Sequence, residues 1–280
     1  MRRGSFALLG LVVACSAPSP APPAPSVDVV EVPTVSSVRA PTVSRAAPGA
    51  IEELAVPGDL PVLVVRGDSA GTRLKTVFLP GSCDRPEVYL GALRAAAAKR
   101  GGLVALQGDK PCPGPDPRLR RWSSDAAASA ARIEAALQAV GEEDTRDLTL
   151  VGYSQGAERA EWIAAKFPGK FKRLVLVAGP IVPSASRLSG AEAVVTMAGR
   201  GDVRENMALG ARALRKAKIP AIYMELPSHH HGELDPRADA SFDKAFEWLD
   251  QEHRAPEAAR PAARAHLVAP RRGDDAVSSP

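Results

Sequence analysis

Between residues 62 and 226 the chain places seven short apolar runs, at Val62 to Val65, Thr76 to Leu79, Leu103 to Leu106, Leu148 to Val151, Leu174 to Val177, Val194 to Met197 and Ala221 to Leu226. Each is four to six residues long and rich in Val, Leu or Ile, the pattern of a strand buried on both faces. Most are separated by stretches with helical spacing, at Val88 to Lys99, Asp125 to Val140, Gln155 to Phe167 and Val203 to Lys216, and another follows at Phe242 to His253. In the second stretch Ala126, Ala130, Ile133 and Leu137 share one stripe, Ser123 or Ser124 is placed to cap its start, and Gly141 to end it. Strand and helix in alternation predict a mostly parallel central sheet with helices on both faces. Chemistry in such sheets gathers beyond the carboxyl ends of the strands, so the loops after each run are where a site is to be sought.

The folded unit predicted this way spans residues 51–253 of 280, one domain, and the 45% of the whole chain that is hydrophobic suffices for one sizeable core. The ends differ. Residues 1–15 carry Arg2 and Arg3, an apolar run from Phe6 to Ala14, then Cys15. This is the layout of an export signal and is too short to span a bilayer. Val12-Val13-Ala14-Cys15 resembles a bacterial lipobox, which implies acylation of Cys15 and a lipid anchor in the cell envelope; the alternative is an ordinary signal cleaved near Ala17 and simple secretion. Residues 16–50 are dominated by Pro, Ala, Ser and Val without periodicity, and residues 254–280 gain Pro, Ala and Arg, so a disordered tether and a disordered tail are expected. The net charge of +4 is spread along the chain; Arg118 to Arg121 is the densest basic stretch, which argues against nucleic-acid binding.

The strand at Leu148 to Val151 runs directly into Gly152-Tyr153-Ser154-Gln155-Gly156, and a helix is predicted to follow. A serine on so tight a turn has strained backbone angles, and side chains two residues either side would collide, hence glycine at both places. The turn lifts the Ser154 hydroxyl above the sheet edge and leaves the Gln155 amide at a helix N-terminus, aimed at a developing oxyanion. A serine nucleophile needs a base. Of the five histidines, His229, His230 and His231 lie in the loop after the last strand, on the same sheet edge as Ser154; His231, which precedes Gly232, is the first choice, then His230, then His229. A solvated polar loop or a metal site is the bland alternative for three adjacent histidines, but consecutive residues do not readily converge on one ion, so no metal is assigned. The base needs a carboxylate to fix its tautomer. Asp202, just beyond the strand Val194 to Met197, is the choice, with Glu205 in reserve and helix capping as the competing role for Asp202.

The second oxyanion donor is expected in Pro80-Gly81-Ser82-Cys83, after an early strand, from the amide of Ser82 or next Cys83. Cys83 and Cys112 both follow predicted strands and are read as a disulfide that stiffens this loop, rather than as a nucleophile or metal pair. The loop from Gly108 to Trp122 overlooks the same edge, and Arg121 and Trp122 are candidates to receive an acidic or aromatic substrate group, against the plainer reading of a solvated basic loop.

Taken together, the elbow Gly152 to Gly156, the Leu79-Pro80-Gly81-Ser82 loop, Asp202 and His231-Gly232 resemble the α/β-hydrolase family, in particular its secreted esterase and dienelactone-hydrolase-like members, over residues 51–253. The resemblance implies a Ser154, Asp202, His231 triad, an acyl-enzyme mechanism without a cofactor, and a small or polymeric ester as substrate. It departs from the common pattern in having Pro80-Gly81 where many members carry His-Gly. The short connection between Gly179 and Ala193 implies no large cap domain and an open site. A hydrolase-fold lipoprotein that only binds, and a peptidase with the same triad, are the alternatives.

Overall fold

A computed structural model describes residues 49–69, 72–227, 231, 232 and 234–254, all within one compact unit, Arg45–Pro280. The export segment with Cys15, the tether as far as residue 48, the tail from residue 255, and His229 and His230 lie outside the described residues.

Each predicted apolar run is a strand. β1 (Ile51–Leu54) and β2 (Val62–Arg66) open the chain, followed by β3 (Thr76–Leu79), helix α1 (Glu87–Ala98) and β4 (Gly102–Ala105). A two-residue hairpin, β5 (Lys110–Pro111) with β6 (Arg120–Arg121), precedes α2 (Ala126–Ala139). Then come β7 (Leu148–Tyr153), α3 (Gln155–Lys166), β8 (Phe171–Val177), β9 (Ala193–Ala198), α4 (Arg204–Lys216), β10 (Ala221–Glu225) and α5 (Asp239–Arg254). The main sheet has eight strands in the order β1-β2-β4-β3-β7-β8-β9-β10. From β4 to β10 every neighbouring pair is parallel, whereas β2 is antiparallel to both β1 and β4.

Alternation along the strands builds two cores. Val77, Leu150, Leu174, Leu176 and Val194 face one side, where α2, α3 and α4 pack through Ile133, Leu137, Ile163, Met207 and Leu214. Phe78, Val151, Val175, Val177 and Val195 face the other, covered by Leu90 and Leu93 of α1 and Phe242, Phe246 and Leu249 of α5. A strand fully buried on both faces needs apolar residues at every position, which is why the runs are continuous. The start of α2 is capped by Asp125, whose carboxylate accepts the amides of Ala127 (2.9 Å) and Ala128 (3.0 Å), and neither Ser123 nor Ser124 takes that role. Its end closes as predicted around Gly141: Glu142 N–H donates to Leu137 O and Gly141 N–H to Gln138 O. Between β8 and β9, residues 178–192 form turns and carry no helix.

Candidate active site

Ser154 stands between the last residue of β7 and the first of α3, with φ 51° and ψ −119°. Such a backbone costs roughly 1 to 3 kcal/mol and persists only where its surroundings dictate it. They do: Ser154 N–H donates to Val177 O of β8 at 2.8 Å, and the flanking glycines are fixed by contact. A Cβ on Gly152 would lie 2.3 Å from Gly156 O, and a Cβ on Gly156 only 2.0 Å from Leu79 O. Both positions exclude any side chain, and the second presses the start of α3 against the end of β3.

The Ser154 hydroxyl is 3.1 Å from His231 Nε2, and His231 Nδ1 is 2.8 Å from Asp202 Oδ1. A carboxylate only accepts, so Nδ1 carries the proton and Nε2 turns its lone pair to the hydroxyl. Asp202 has a side chain only 1% exposed, and its other oxygen accepts Gly199 N–H at 2.7 Å, so both oxygens of the buried carboxylate are satisfied. Its side chain does not cap α4, whose N-cap residue is Val203, and Glu205 is exposed on the first turn of that helix. The geometry thus joins Ser154, His231 and Asp202 from three separate loops into one hydrogen-bonded line.

The loop after β3 lies against Ser154. A Cβ on Gly81 would be 3.5 Å from Ser154 Cβ and 3.3 Å from Tyr89 Oη. Ser82 follows it, exposed, while the Gln155 amide opens α3, where the helix ladder leaves its first N–H groups without an internal acceptor. Cys83 and Cys112 are joined by a disulfide, Cα to Cα 5.5 Å. Cys83 N–H also donates to Arg120 O at 2.7 Å, so the hairpin holds this loop by backbone as well as by sulfur.

The structure corrects one expectation and adds residues. Trp122 is not directed at a substrate: its side chain is 4% exposed, packs in the core beside Ile133 and Leu137, and donates its indole N–H to Pro80 O at 2.9 Å. An apolar side chain this large beside a sheet edge loses more water by packing inward than by facing a solvent-filled loop. Arg121 is exposed on β6 opposite Lys110, while the neighbouring Arg120 guanidinium binds the carbonyls of Gly108 (2.8 Å) and Asp109 (2.9 Å). The additions are the side chains of the two residues flanking Ser154. Gln155 pairs its side-chain amide with the Trp122 backbone, accepting N–H at 2.9 Å and donating to C=O at 3.3 Å. Tyr153 Oη accepts Gly232 N–H at 2.7 Å, and its ring lies 5.6 Å from the His231 ring and 4.7 Å from that of Tyr89. Tyr89 in turn donates to the Asp84 carboxylate; burial, reinforced by that carboxylate, pushes its hydroxyl pKa far above the ordinary tyrosine value, so it stays a donor at any working pH. Polar side chains on either side of a buried elbow must find partners, and this was the signal available for Tyr153 and Gln155 in the sequence. Among the described residues no cluster of three or more His, Cys, Asp or Glu is placed to hold a metal ion.

No protein-family model matches the sequence, and neither does any curated protein sequence. Solved structures do share its architecture. A fluorophosphonate-binding serine hydrolase of Staphylococcus aureus superposes with TM-score 0.50 at 13% identity, covering 72% of this chain and 99% of that one. An S-formylglutathione hydrolase from Agrobacterium tumefaciens gives 0.52 at 14% identity, over 72% of this chain and 94% of the other. The Bacillus cereus carboxylesterase gives 0.50 at 18%, over 68% and 93%. The fold is that of the α/β-hydrolases, and the described residues include no large cap domain.

Proposed function

We propose that the protein is an exported serine hydrolase that cleaves carboxylic esters through an acyl-enzyme formed on Ser154. The observation that carries this reading is the line from Ser154 Oγ to His231 Nε2 at 3.1 Å and from His231 Nδ1 to Asp202 at 2.8 Å, at the tip of a strained elbow. In the first step His231 Nε2 takes the hydroxyl proton as Ser154 Oγ attacks the ester carbonyl. Asp202 stabilises the resulting imidazolium, and the carbonyl oxygen, now an oxyanion, is met by the amides of Gln155 and Ser82. Collapse of the tetrahedral intermediate breaks the ester C–O bond, and the imidazolium gives its proton to the departing alkoxide. Water then repeats the sequence on the acyl-Ser154, releasing the acid. No cofactor enters this cycle.

Esters are favoured over peptides because the fold neighbours above include a carboxylesterase and an S-formylglutathione hydrolase. The helix-free connection 178–192 supports a site open enough for a bulky or polymeric substrate. The signal-like residues 1–15, with Cys15 for acylation, support export and a lipid anchor, and the Cys83–Cys112 disulfide fits an oxidising compartment. The deciding experiment is labelling of the folded protein by a fluorophosphonate probe, with Ser154→Ala as control, followed by p-nitrophenyl esters of increasing acyl length and a matching peptide substrate. Labelling lost in Ser154→Ala together with ester turnover is expected. An unlabelled folded wild type points instead to a binding protein, and peptide turnover above ester turnover to a peptidase.

A further inference from the structure

One residue touches both halves of the anion-binding corner. The Gln155 backbone amide stands next to Ser154 at the start of α3, while its side chain pairs in both directions with the backbone of Trp122. Trp122 passes the constraint on, because its buried indole N–H donates to Pro80 O at 2.9 Å, and the Arg132 guanidinium sits 5.8 Å over the indole ring, fixing its place. The Pro80 carbonyl and the Gly81 amide share one rigid peptide plane. Turning that carbonyl therefore turns the backbone leading into Ser82, whose amide is the second oxyanion donor of the proposed mechanism.

We infer that the Gln155 side chain is a positioning residue for the oxyanion hole, setting the direction of the Ser82 amide through Trp122 and Pro80. The inference rests on the hydrolase reading above. It explains the identity of the side chain: glutamate would accept from Trp122 N–H but could not donate to its carbonyl when ionised, and would bring a negative charge beside the developing oxyanion. It also gives Trp122 an indirect part in the reaction without any contact with substrate.

The test compares Gln155→Met, Trp122→Phe and the double variant with wild type and Ser154→Ala. Active sites are titrated with a fluorophosphonate, and kcat and KM are measured for p-nitrophenyl acetate, with inhibition by a trifluoromethyl ketone whose adduct carries the oxyanion. A displaced donor should lower kcat about ten- to hundredfold per titrated site, since outright loss of one such donor costs about 100- to 1,000-fold. KM should stay within about twofold, and ketone affinity should fall in the same ratio as kcat. Because both residues act along one path, the double variant should be little worse than the poorer single variant. A purely structural role lowers the melting temperature or the titratable fraction but leaves kcat per site and ketone affinity at wild-type values, and that result overturns the inference alone. If Gln155→Met does not fold, Trp122→Phe, which deletes only the indole donor and part of a ring, decides by the same readouts. A wild type that neither labels nor hydrolyses overturns the hydrolase reading, and this inference with it.

Discussion

Tyr153, the residue before the nucleophile, accepts the backbone N–H of Gly232, the residue after the histidine, at 2.7 Å. The elbow thus ties the loop after β10, next to the proposed base His231, through a phenol rather than leaving that loop to find its position alone.

Replacing that phenol should separate positioning from chemistry. Tyr153→Phe keeps the ring against His231 and removes the acceptor. We expect kcat/KM for p-nitrophenyl acetate to fall about tenfold, with fluorophosphonate labelling slowed in the same ratio and the fold retained by circular dichroism. Equal labelling rates for the variant and the wild type would show that the His231 loop holds itself.

Asp202 and Glu205 were both open as the acid in the sequence, and their surroundings now distinguish them. Asp202→Asn should reduce kcat by about 10,000-fold, the loss seen when a triad histidine is given the wrong tautomer. Glu205→Gln, exposed on α4, should stay within about twofold of wild type. Steady-state kinetics on purified variants decides, and the opposite ranking sinks the assignment of Asp202.

The disulfide closes a 29-residue separation. In the chain-entropy account this stabilises the fold by roughly 3 to 4 kcal/mol, so Cys83→Ala with Cys112→Ala should show a clearly lower urea midpoint. Assayed at a temperature where the double variant remains folded, kcat should also drop severalfold, because the bridge ends one residue beyond Ser82. An unchanged kcat would confine the bridge to stability.

Helix α5 is tied to α1 by Asp243, which binds Lys99 Nζ at 2.8 Å and Arg100 Nη1 at 2.7 Å. Lys99 foremost, then Arg100, holds the Asp243 carboxyl below its ordinary value of 3.8. A carboxylate depressed in the folded state stabilises the protein above the unfolded-state pKa, and the gain is lost as pH falls through the folded one. The pair is partly exposed and screened by solvent, so the effect is small. Asp243→Asn should lower the melting temperature by roughly 1 to 3 °C at pH 7 and by progressively less below about pH 4. A gap that stays constant down to pH 2 would remove the ion pairs from the explanation.

Much of this molecule was legible because burial on both faces leaves a continuous apolar run, and all seven runs became strands. Strand direction was not. An apolar run reads the same whether its neighbour is parallel or antiparallel, so the reversal of β2 left no mark. β1 escaped because Ile51-Glu52-Glu53-Leu54 is an edge strand with no buried residue, and the β5–β6 hairpin because two residues per strand are too few for a period to show. The site's skeleton, Ser154, Asp202 and His231, followed from what a serine nucleophile needs and from which loops share an edge. Neither a substrate-facing nor a solvated place fits Trp122, because its position in a loop after a strand says nothing about whether its ring turns in or out, and the ring is buried. The partners of Tyr153 and Gln155 lie 79 and 33 residues away in sequence, and only the fold makes them neighbours.

The contact between Gly156 and Leu79 bears on how such a chain can change over time. The nucleophile's helix and the strand carrying the oxyanion loop meet backbone to backbone, with no side chain between them to be retuned. Substitutions in the surrounding core can therefore leave the distance between the β3 loop and the Ser154 elbow unchanged, provided Gly156 stays small. The same architecture accordingly appears in the solved structures named above at only 13 to 18% identity.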